Sequence, residues 1–295
     1  MQIVNISEEE FMNLEKYVLP KSIINREGVL YVLPRKEQML LKRFFLTNGR
    51  PLNNKLYTLG ELIENKDIID IEELVMPDAL ASVGEKIIGY TMPLIDSINL
   101  SSALNTMSID LPTKLEYLKQ IGTILRKMAE VRNTTKVKDF YLNDLHENNF
   151  VIRRSDKKVF CVDLDSCSIG GNIPFGTKYL SKMYPISEVP TKYNGELLTS
   201  AGGEIVPSEN TDLYCYNIII LNFIFNGYVP HLKINEYYDY LEYLISIGAN
   251  KELIDIFAKL YQLEDNENPD YLLDSIPEFI TKANSVSFAR TRTKN

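Results

Sequence analysis

The 295-residue sequence is poor in the residues on which several protein classes depend. It has three cysteines, Cys161, Cys167 and Cys215, a small and odd number that does not suit a disulfide framework. No two of them have the CxxC spacing of a zinc site. Because it has only two histidines, it lacks the material for a histidine-based zinc site or a Ser-His-Asp triad. These shortages argue against a disulfide-rich domain, a zinc protein and a triad hydrolase.

Long apolar runs and an excess of positive charge are also missing. The longest apolar stretch, Tyr214 to Phe225, is interrupted by Asn217 and Asn222 and is too short to span a bilayer. The N-terminus lacks the basic and then apolar segments of a signal peptide. The net charge of −8 and the pI near 5.1 argue against nucleic acid as the main partner. We therefore expect a cytoplasmic protein with no membrane span and no nucleic-acid partner.

Residue patterning divides the chain into two parts of different character. The first hundred residues contain short apolar, β-branched or aromatic runs and one helix, which indicates a small, mostly antiparallel lobe. The elements expected there are a hairpin of Gly28–Pro34 with Glu37–Phe45, a helix over Asn53–Asn65 capped by Asn53 or Asn54, and strands around Glu73–Met76 and Lys86–Met92 with Gly84 in the turn before the last strand.

Helices dominate the second part of the chain. Apolar residues at three- and four-residue spacing predict helices over Lys114–Val131, Asp212–Phe225, Glu236–Ile247, Glu252–Leu263 and Tyr271–Ala283. Two short strands are expected on either side of the turn Ser155–Lys157. The predicted organisation is α+β, with an N-terminal lobe over residues 1–95, a larger helical lobe over 96–285 and a tail over 286–295.

The segments around Asp144 and Asp163 contain the residues that best fit a chemical site. Asp144 and Asn149 stand five residues apart on a loop that leads into a strand, and Asp163 follows the next strand, fourteen residues after Asn149. A carboxylate that orients a hydroxyl, together with an amide and a carboxylate for a hard cation, is the oxygen-ligand set that Mg²⁺ and nucleotide phosphates require. The alternative is a polar turn with surface acids.

These segments resemble the protein-kinase-like superfamily. The run Tyr141 to Asn149 is similar to its catalytic loop H-R-D-x-x-x-x-N, and Asp163-Leu-Asp stands where the family has D-F-G. The resemblance implies a two-lobed kinase-like fold, ATP and Mg²⁺ as cofactors, Asp144 as the residue that orients the acceptor hydroxyl, and Asn149 and Asp163 as metal ligands. His146 stands where protein kinases carry a lysine and is more similar to aminoglycoside and other small-molecule phosphotransferases.

The resemblance extends through the N-terminal lobe. It implies that Lys42 holds the α- and β-phosphates and that Glu61, nineteen residues later on a helix, holds Lys42, although Arg43 and Glu64 compete for these roles. It also implies that Met92 lies at the gatekeeper position. Pro93 to Ile95, with Leu94 at its centre, then resembles the linker whose backbone binds adenine.

Two features of the second lobe also resemble the family. Asp212, at the start of an apolar helix, matches the aspartate that holds the backbone of the catalytic loop. Gly176 to Leu180 looks like the end of an activation segment. The match then covers roughly residues 25 to 280 in order, and the activation segment favours a protein Ser/Thr hydroxyl as the acceptor.

Among the places where the sequence departs from the family pattern, three concern the phosphate loop, the catalytic loop and D-F-G. The segment before Val29 has one glycine, so the glycine-rich phosphate loop is missing. Asn143 replaces the arginine that pairs with a phosphorylated activation segment. Asp165 replaces the glycine of D-F-G, and we interpret it as a solvated or N–H-capping residue rather than a second metal ligand. Three functions stay open: a protein Ser/Thr kinase, an aminoglycoside- or choline-type small-molecule kinase, and a pseudokinase that binds without turnover.

Overall fold

The computed structural model describes residues 2–19, 28–33, 38–45, 49–172, 192–193, 196–197, 207–224, 242 and 245. Its chain divides into two compact units. The first contains Met1–Ile98, Lys127–Leu142 and Phe150–Phe175, and the second contains Asn99–Arg126, Asn143–Asn149 and Gly176–Asn295. The first unit therefore includes chain segments well beyond the lobe predicted over residues 1–95.

The protein has a mixed α+β fold, as the residue patterning predicts. Its strands are β1 (Ile3–Asn5), β2 (Gly28–Val32), β3 (Met39–Phe44), β4 (Ala79–Val83), β5 (Lys86–Pro93), β6 (Ser97–Asn99), β7 (Phe150–Arg153), β8 (Val159–Cys161), β9 (Lys192–Tyr193) and β10 (Glu196–Leu197). Its α-helices within the described residues are α1 (Glu8–Asn13), α2 (Arg50–Glu64), α3 (Lys66–Ile69), α4 (Leu100–Asn105), α5 (Leu111–Thr134) and α6 (Glu209–Ile224).

A five-stranded sheet forms the centre of the first unit, in the order β1-β4-β5-β3-β2. The β2–β3 pair is the predicted hairpin and is confirmed, with Leu30 opposite Lys42 in an antiparallel ladder. The turn between β4 and β5 has Gly84 at φ +57°, a left-handed conformation in which glycine carries no side-chain strain. The edge strand β1 pairs with β4 in parallel and was not predicted.

Two expectations about this unit are wrong. No strand covers Glu73–Met76 as predicted, and the strand of this region is β4, which begins at Ala79. The segment before Pro77 runs beside β8 instead, where the Val75 N–H donates to the Cys161 carbonyl. Helix α2 begins earlier than predicted, with Gly49 rather than an asparagine as its N-cap and a proline in its first turn.

The two faces of the five-stranded sheet are covered by different apolar clusters. Successive side chains of β3 point to opposite faces of the sheet. Leu40 and Phe44 pack in the same cluster as residues of α2, and Leu41 packs in the other cluster. The cluster on the α2 side contains Leu40, Phe44, Leu52, Leu59, Tyr90 and Met92, and the opposite cluster contains Ile6, Leu14, Tyr31, Leu41 and Ala81. Lys42 therefore belongs to the face that is covered by α2.

The helices and strands predicted around the centre of the chain are confirmed where they are described. The antiparallel pair β7–β8 forms with Phe150 opposite Cys161. Helix α5 contains the predicted helix over Lys114–Val131, and the start of the predicted apolar helix is α6. Residues Cys215, Tyr216, Ile219 and Ile220 of α6 are buried.

Several predicted features lie outside the described residues. They are the glycine-poor segment over residues 20–27, the activation-segment match Gly176–Leu180, and the helices predicted over Glu252–Leu263 and Tyr271–Ala283. The helix predicted over Glu236–Ile247 is described only at residues 242 and 245, which are helical. None of the helices among the described residues is long and apolar enough to cross a membrane.

Candidate functional site

The first unit contains a group of four charged side chains, Lys42, Lys55, Asp163 and Asp165, which we call the charge cluster. The Lys42 ammonium group contacts Asp163 Oδ1 and lies 2.9 Å from Asp165 Oδ2. The Lys55 ammonium group lies 2.9 Å from the other oxygen of Asp165, Oδ1, and 3.3 Å from Ser166 Oγ. Two cations and two anions are thus interleaved, and the formal charge of the cluster is zero.

Strand geometry explains why Lys42, and not its neighbour Arg43, is in the cluster. Successive side chains of a strand point to opposite faces, and Lys42 is on the same face as Leu40 and Phe44. Lys42 is 3% exposed, whereas the Arg43 side chain is 35% exposed. A charge that is buried to this degree is stable only with opposite charges beside it, and the cluster supplies two of them.

The main chain of Lys42 is fixed by its close approach to Gly89 on β5. A Cβ atom at position 89 would lie 1.9 Å from the Lys42 carbonyl oxygen, so only glycine fits there. Beside Gly89, Tyr90 pairs with Lys42 in the β3–β5 ladder, and its ring centre lies 6.0 Å from the Lys42 nitrogen. The neighbouring strand β5 therefore fixes the position of the Lys42 main chain.

Asp163 has a left-handed backbone conformation, which aspartate adopts more often than most other non-glycine residues. It follows β8 with φ +66° and ψ +49°, a left-handed geometry that costs a non-glycine residue roughly 1–2 kcal/mol. Such strained residues are concentrated at functional sites, because there the geometry of the side chain matters more than the cost. The conformation turns Asp163 toward Lys42, 121 residues away along the chain.

The charges of the cluster shift the pKa values of its members. Burial alone would lower the pKa of Lys42, but the two carboxylates outweigh it and hold the pKa well above its usual range. Burial raises the pKa of Asp163, and the nearby Lys42 opposes this effect. Burial would also raise the pKa of Asp165, but Lys42 and Lys55 outweigh it and lower that pKa. Asp165 is therefore the carboxylate that the cluster holds most firmly in its ionised form.

Lys42 is not paired with Glu61, which corrects the pairing that the sequence predicted. Glu61 is on the following helix as expected, but its carboxylate accepts a long hydrogen bond from Asn65 Nδ2 at 3.4 Å. Lys55, six residues earlier on the same helix, reaches the cluster instead. The interpretation of Asp165 as a solvated or capping residue is also wrong, because Asp165 is completely buried.

Lys55 and Asp165 were missed as functional residues, although one of them has a detectable signal. Lys55 stands three residues after Leu52 and four before Leu59, so it interrupts the apolar stripe of α2. A lysine within such a stripe is a candidate for a buried ion pair. Asp165 has no such signal, because its partners are 123 and 110 residues distant in sequence.

The second unit contains a loop, Asn143–Asn149, which we call the Asp144 loop. Asn143 is buried at φ +61°, and its N–H donates to Asp212 Oδ1 at 3.0 Å. Asp212 is itself buried at the start of α6. The predicted contact between Asp212 and the backbone of this loop is therefore confirmed.

The Asp144 side chain is a quarter exposed and is held by two neighbours in its own loop. Asn149 Nδ2 donates to the Asp144 carbonyl oxygen at 2.9 Å and lies 3.5 Å from Asp144 Oδ2. His146 Nε2 lies 3.5 Å from the same Oδ2, while His146 Nδ1 accepts from the Asn148 N–H at 3.2 Å. Because Nδ1 is an acceptor, the ring proton is on Nε2 and faces the carboxylate.

The remaining predicted site residues are Met92 and Leu94. Met92 is buried in the apolar cluster under the sheet, and Leu94 follows β5. The Leu94 N–H donates to the Gln38 carbonyl at 2.8 Å, so this N–H is already used inside the protein. A cavity of about 390 Å³ is lined by Leu94, Ile95, Leu74, Phe160 and Arg153 among others, and neither Lys42 nor Asp163 is among its lining residues.

Asp163 in the first unit and Asn149 in the second each have an oxygen atom of the kind that Mg²⁺ prefers. Since the Asn149 amide nitrogen donates to a main-chain carbonyl, its oxygen is the atom left for a cation. A carboxylate and an amide oxygen are hard ligands, and Mg²⁺ is bound in proteins by one or two such groups together with water and phosphate oxygens. No group of three or more His, Cys, Asp or Glu side chains suited to a metal ion is present in the part of the chain that the structure describes.

No protein-family model matches this chain, and no curated protein sequence matches it either.

Proposed function

We propose that this protein is an ATP- and Mg²⁺-dependent phosphotransferase with a protein-kinase-like fold, which transfers the γ-phosphoryl group of ATP to a hydroxyl. The observation that supports it best is the buried Lys42, whose ammonium group contacts the aspartate that follows β8. A phosphate-binding lysine and a metal-binding aspartate are the two charged groups that phosphoryl transfer needs near the nucleotide.

Each residue has a defined task in the proposed reaction. Lys42 binds the α- and β-phosphates, and Asp163 and Asn149 are the protein ligands of Mg²⁺. When bound, the metal neutralises the charge that develops on the phosphates. Asp144 accepts a hydrogen bond from the acceptor hydroxyl and orients it for attack. Asp212 maintains the conformation of the loop that carries Asp144.

The linker after β5 limits how adenine is recognised in this proposal. Pro93 has no N–H, and the Leu94 N–H is bonded to Gln38. We therefore assign the adenine-binding donor to the Ile95 N–H and assign apolar contacts with the purine to Leu94. Met92 borders this position from within the core of the sheet.

The first choice of acceptor is a serine or threonine hydroxyl of a protein, which follows from the sequence match at Gly176–Leu180. A small-molecule hydroxyl is the second candidate, and it is favoured by His146 beside Asp144. A lysine there would place a fixed positive charge next to the transferred phosphoryl group, whereas His146 presents an N–H to the carboxylate. Panels of protein and small-molecule acceptors, assayed under the same conditions, distinguish the two.

Turnover of labelled ATP tests the proposal. We expect wild-type protein with Mg²⁺ to release or transfer labelled phosphate, and Asp144→Ala and Asp163→Ala to abolish this activity. Asp156→Ala is the matched control, because Asp156 is an exposed aspartate in the β7–β8 turn. Identical behaviour of the wild type and both site variants would contradict the enzyme proposal. Thermal stabilisation by nucleotide without turnover would instead favour a pseudokinase that only binds.

A further inference from the structure

The Asp165 carboxylate connects a lysine of the sheet to a lysine of helix α2. Its Oδ2 atom lies 2.9 Å from Lys42 Nζ and its Oδ1 atom lies 2.9 Å from Lys55 Nζ. Both lysines are at least nine-tenths buried, and Asp165 is completely buried. The distances are those of charge-assisted hydrogen bonds, so each carboxylate oxygen has one ammonium partner.

The proposed reaction gives Asp163 and Asp165 different tasks. In the proposed reaction Asp163 would share its carboxylate between Mg²⁺ and Lys42, and the charge of the metal would weaken its attraction for the ammonium group. Glu61 is not in contact with Lys42, since its carboxylate lies beside Asn65. Asp165 is then the carboxylate that keeps the Lys42 ammonium group in position during phosphate binding.

Tyr90 does not take over this task. Its ring lies beside Lys42, but its hydroxyl is the one buried side-chain polar atom, within the described chain, that lacks a hydrogen-bond partner. The aromatic ring attracts the ammonium group without fixing its direction as a hydrogen bond does. We therefore infer that the Asp165 carboxylate is the group that orients the Lys42 ammonium group.

We propose that Lys55 is a positioning residue for nucleotide binding, an inference that rests on the phosphotransferase function proposed above. Lys55 fixes Asp165, and Asp165 fixes Lys42. Helix α2 thus contributes a cation that acts through a carboxylate following β8, where the resembled family has a helix glutamate that holds the lysine directly. Without Lys55, the cluster has one cation for two carboxylates, and Lys42 is drawn toward both carboxylates and away from the phosphates.

Calorimetric titration with Mg²⁺-ATP tests this role in the full-length chain. We expect Lys55→Met to weaken binding about tenfold, because the loss of one buried charge-assisted contact is of that order. Lys55→Arg keeps the charge and is expected to stay within about threefold of wild type. Lys66→Met is the matched control, because Lys66 pairs with Asp78 outside the cluster. This variant should bind Mg²⁺-ATP as tightly as the wild type does.

A double-mutant cycle then asks whether Lys55 acts through Asp165. In the Asp165→Asn background, Lys55→Met should weaken binding by less than about twofold, because its intermediary is already lost. An equal loss in both backgrounds would overturn the proposal, and so would a Lys55→Met variant that binds as wild type does. Circular dichroism verifies the folding of each variant. Should the methionine variant fail to fold, Lys55→Gln, which keeps a polar N–H₂ group but no charge, takes its place with the same expectations.

The titrations also separate this inference from the function on which it rests. Wild-type protein that does not bind Mg²⁺-ATP overturns both. Wild-type binding that Lys42→Met abolishes but Lys55→Met leaves unchanged overturns only the role of Lys55.

Discussion

The charge cluster and the Asp144 loop hold their carboxylates in different ways. In the cluster, Asp165 is completely buried between two ammonium groups at 2.9 Å. In the loop, Asp144 is a quarter exposed, and its carboxylate lies 3.5 Å from both His146 Nε2 and Asn149 Nδ2. A buried ion pair that loses one member leaves an uncompensated charge, whereas a partly exposed carboxylate can be replaced at little cost in stability. We therefore expect changes in the cluster to affect stability as well as the proposed nucleotide binding, and changes in the loop to affect mainly the proposed phosphoryl transfer.

The largest expected effect is on turnover, in the Asp144 loop. Asp144→Asn should lower the rate of phosphoryl transfer about a thousandfold, since it removes a carboxylate that orients and accepts from the hydroxyl. The unfolding free energy should change by less than about 1 kcal/mol, because Asp144 is partly exposed. Steady-state kinetics and urea denaturation measure the two quantities. A large loss of stability in this variant would remove the distinction between the two regions.

The matched change in the cluster is Asp165→Asn, and its main effect should be on stability. It leaves Lys42 and Lys55 with one fewer buried anion, so the unfolding free energy should fall by about 3 kcal/mol. Urea denaturation under the same conditions as for Asp144→Asn provides the direct comparison. A loss below about 1 kcal/mol would mean that the cluster is hydrated and does not behave as a buried ion-pair network.

Asp212 tests how strongly the Asp144 loop is attached to α6. Asp212→Ala removes the acceptor of the Asn143 N–H, and a buried donor left without a partner costs about 1–3 kcal/mol. We expect a loss near the middle of that range, measured by thermal or chemical denaturation, together with a fall in turnover. Unchanged turnover in a folded Asp212→Ala variant would show that the loop keeps its conformation without this contact.

The smallest effect concerns Glu73, an ion-paired carboxylate outside both regions. Burial would raise its pKa, but hydrogen bonds from Lys127 and Lys158 outweigh this and lower the pKa below its ordinary 4.5. The ionised form therefore stabilises the folded state above pH 4.5, and this contribution is lost as the pH falls through the lower, folded-state pKa. We expect Glu73→Gln to reduce the loss of unfolding free energy as the pH falls below 4.5, measured by urea denaturation at a series of pH values. Identical pH profiles of the variant and the wild type would contradict this.

The parts of the site that could be predicted from sequence are those governed by short-range patterns. The two apolar runs joined by a polar turn indicate the hairpin that contains Lys42, and the apolar helix after Asp212 indicates a buried segment. The order of Asp144, Asn149 and Asp163 along a loop and a strand pair is also visible in the sequence. These predictions needed only the identity of neighbouring residues.

The parts that could not be predicted depend on contacts between distant segments. The partner of Lys42 was expected on the following helix at Glu61, but the geometry of α2 brings Lys55 to the cluster instead. Asp165 looked like a surface residue, because nothing near it in sequence shows that two lysines surround it. The strand predicted over Glu73–Met76 failed for a similar reason, since that segment bonds to β8, which follows more than eighty residues later.

The most direct test of the central claim is a titration of the purified protein with ATP in the presence and absence of Mg²⁺, for wild type and for Asp163→Asn. We expect wild-type protein to bind ATP more tightly with Mg²⁺ than in EDTA. In Asp163→Asn this dependence on Mg²⁺ should largely disappear, because the variant lacks the carboxylate assigned to the metal. Absence of ATP binding by the wild type, or an affinity that neither Mg²⁺ nor the Asp163→Asn change alters, would contradict the assignment of the charge cluster to nucleotide and metal binding.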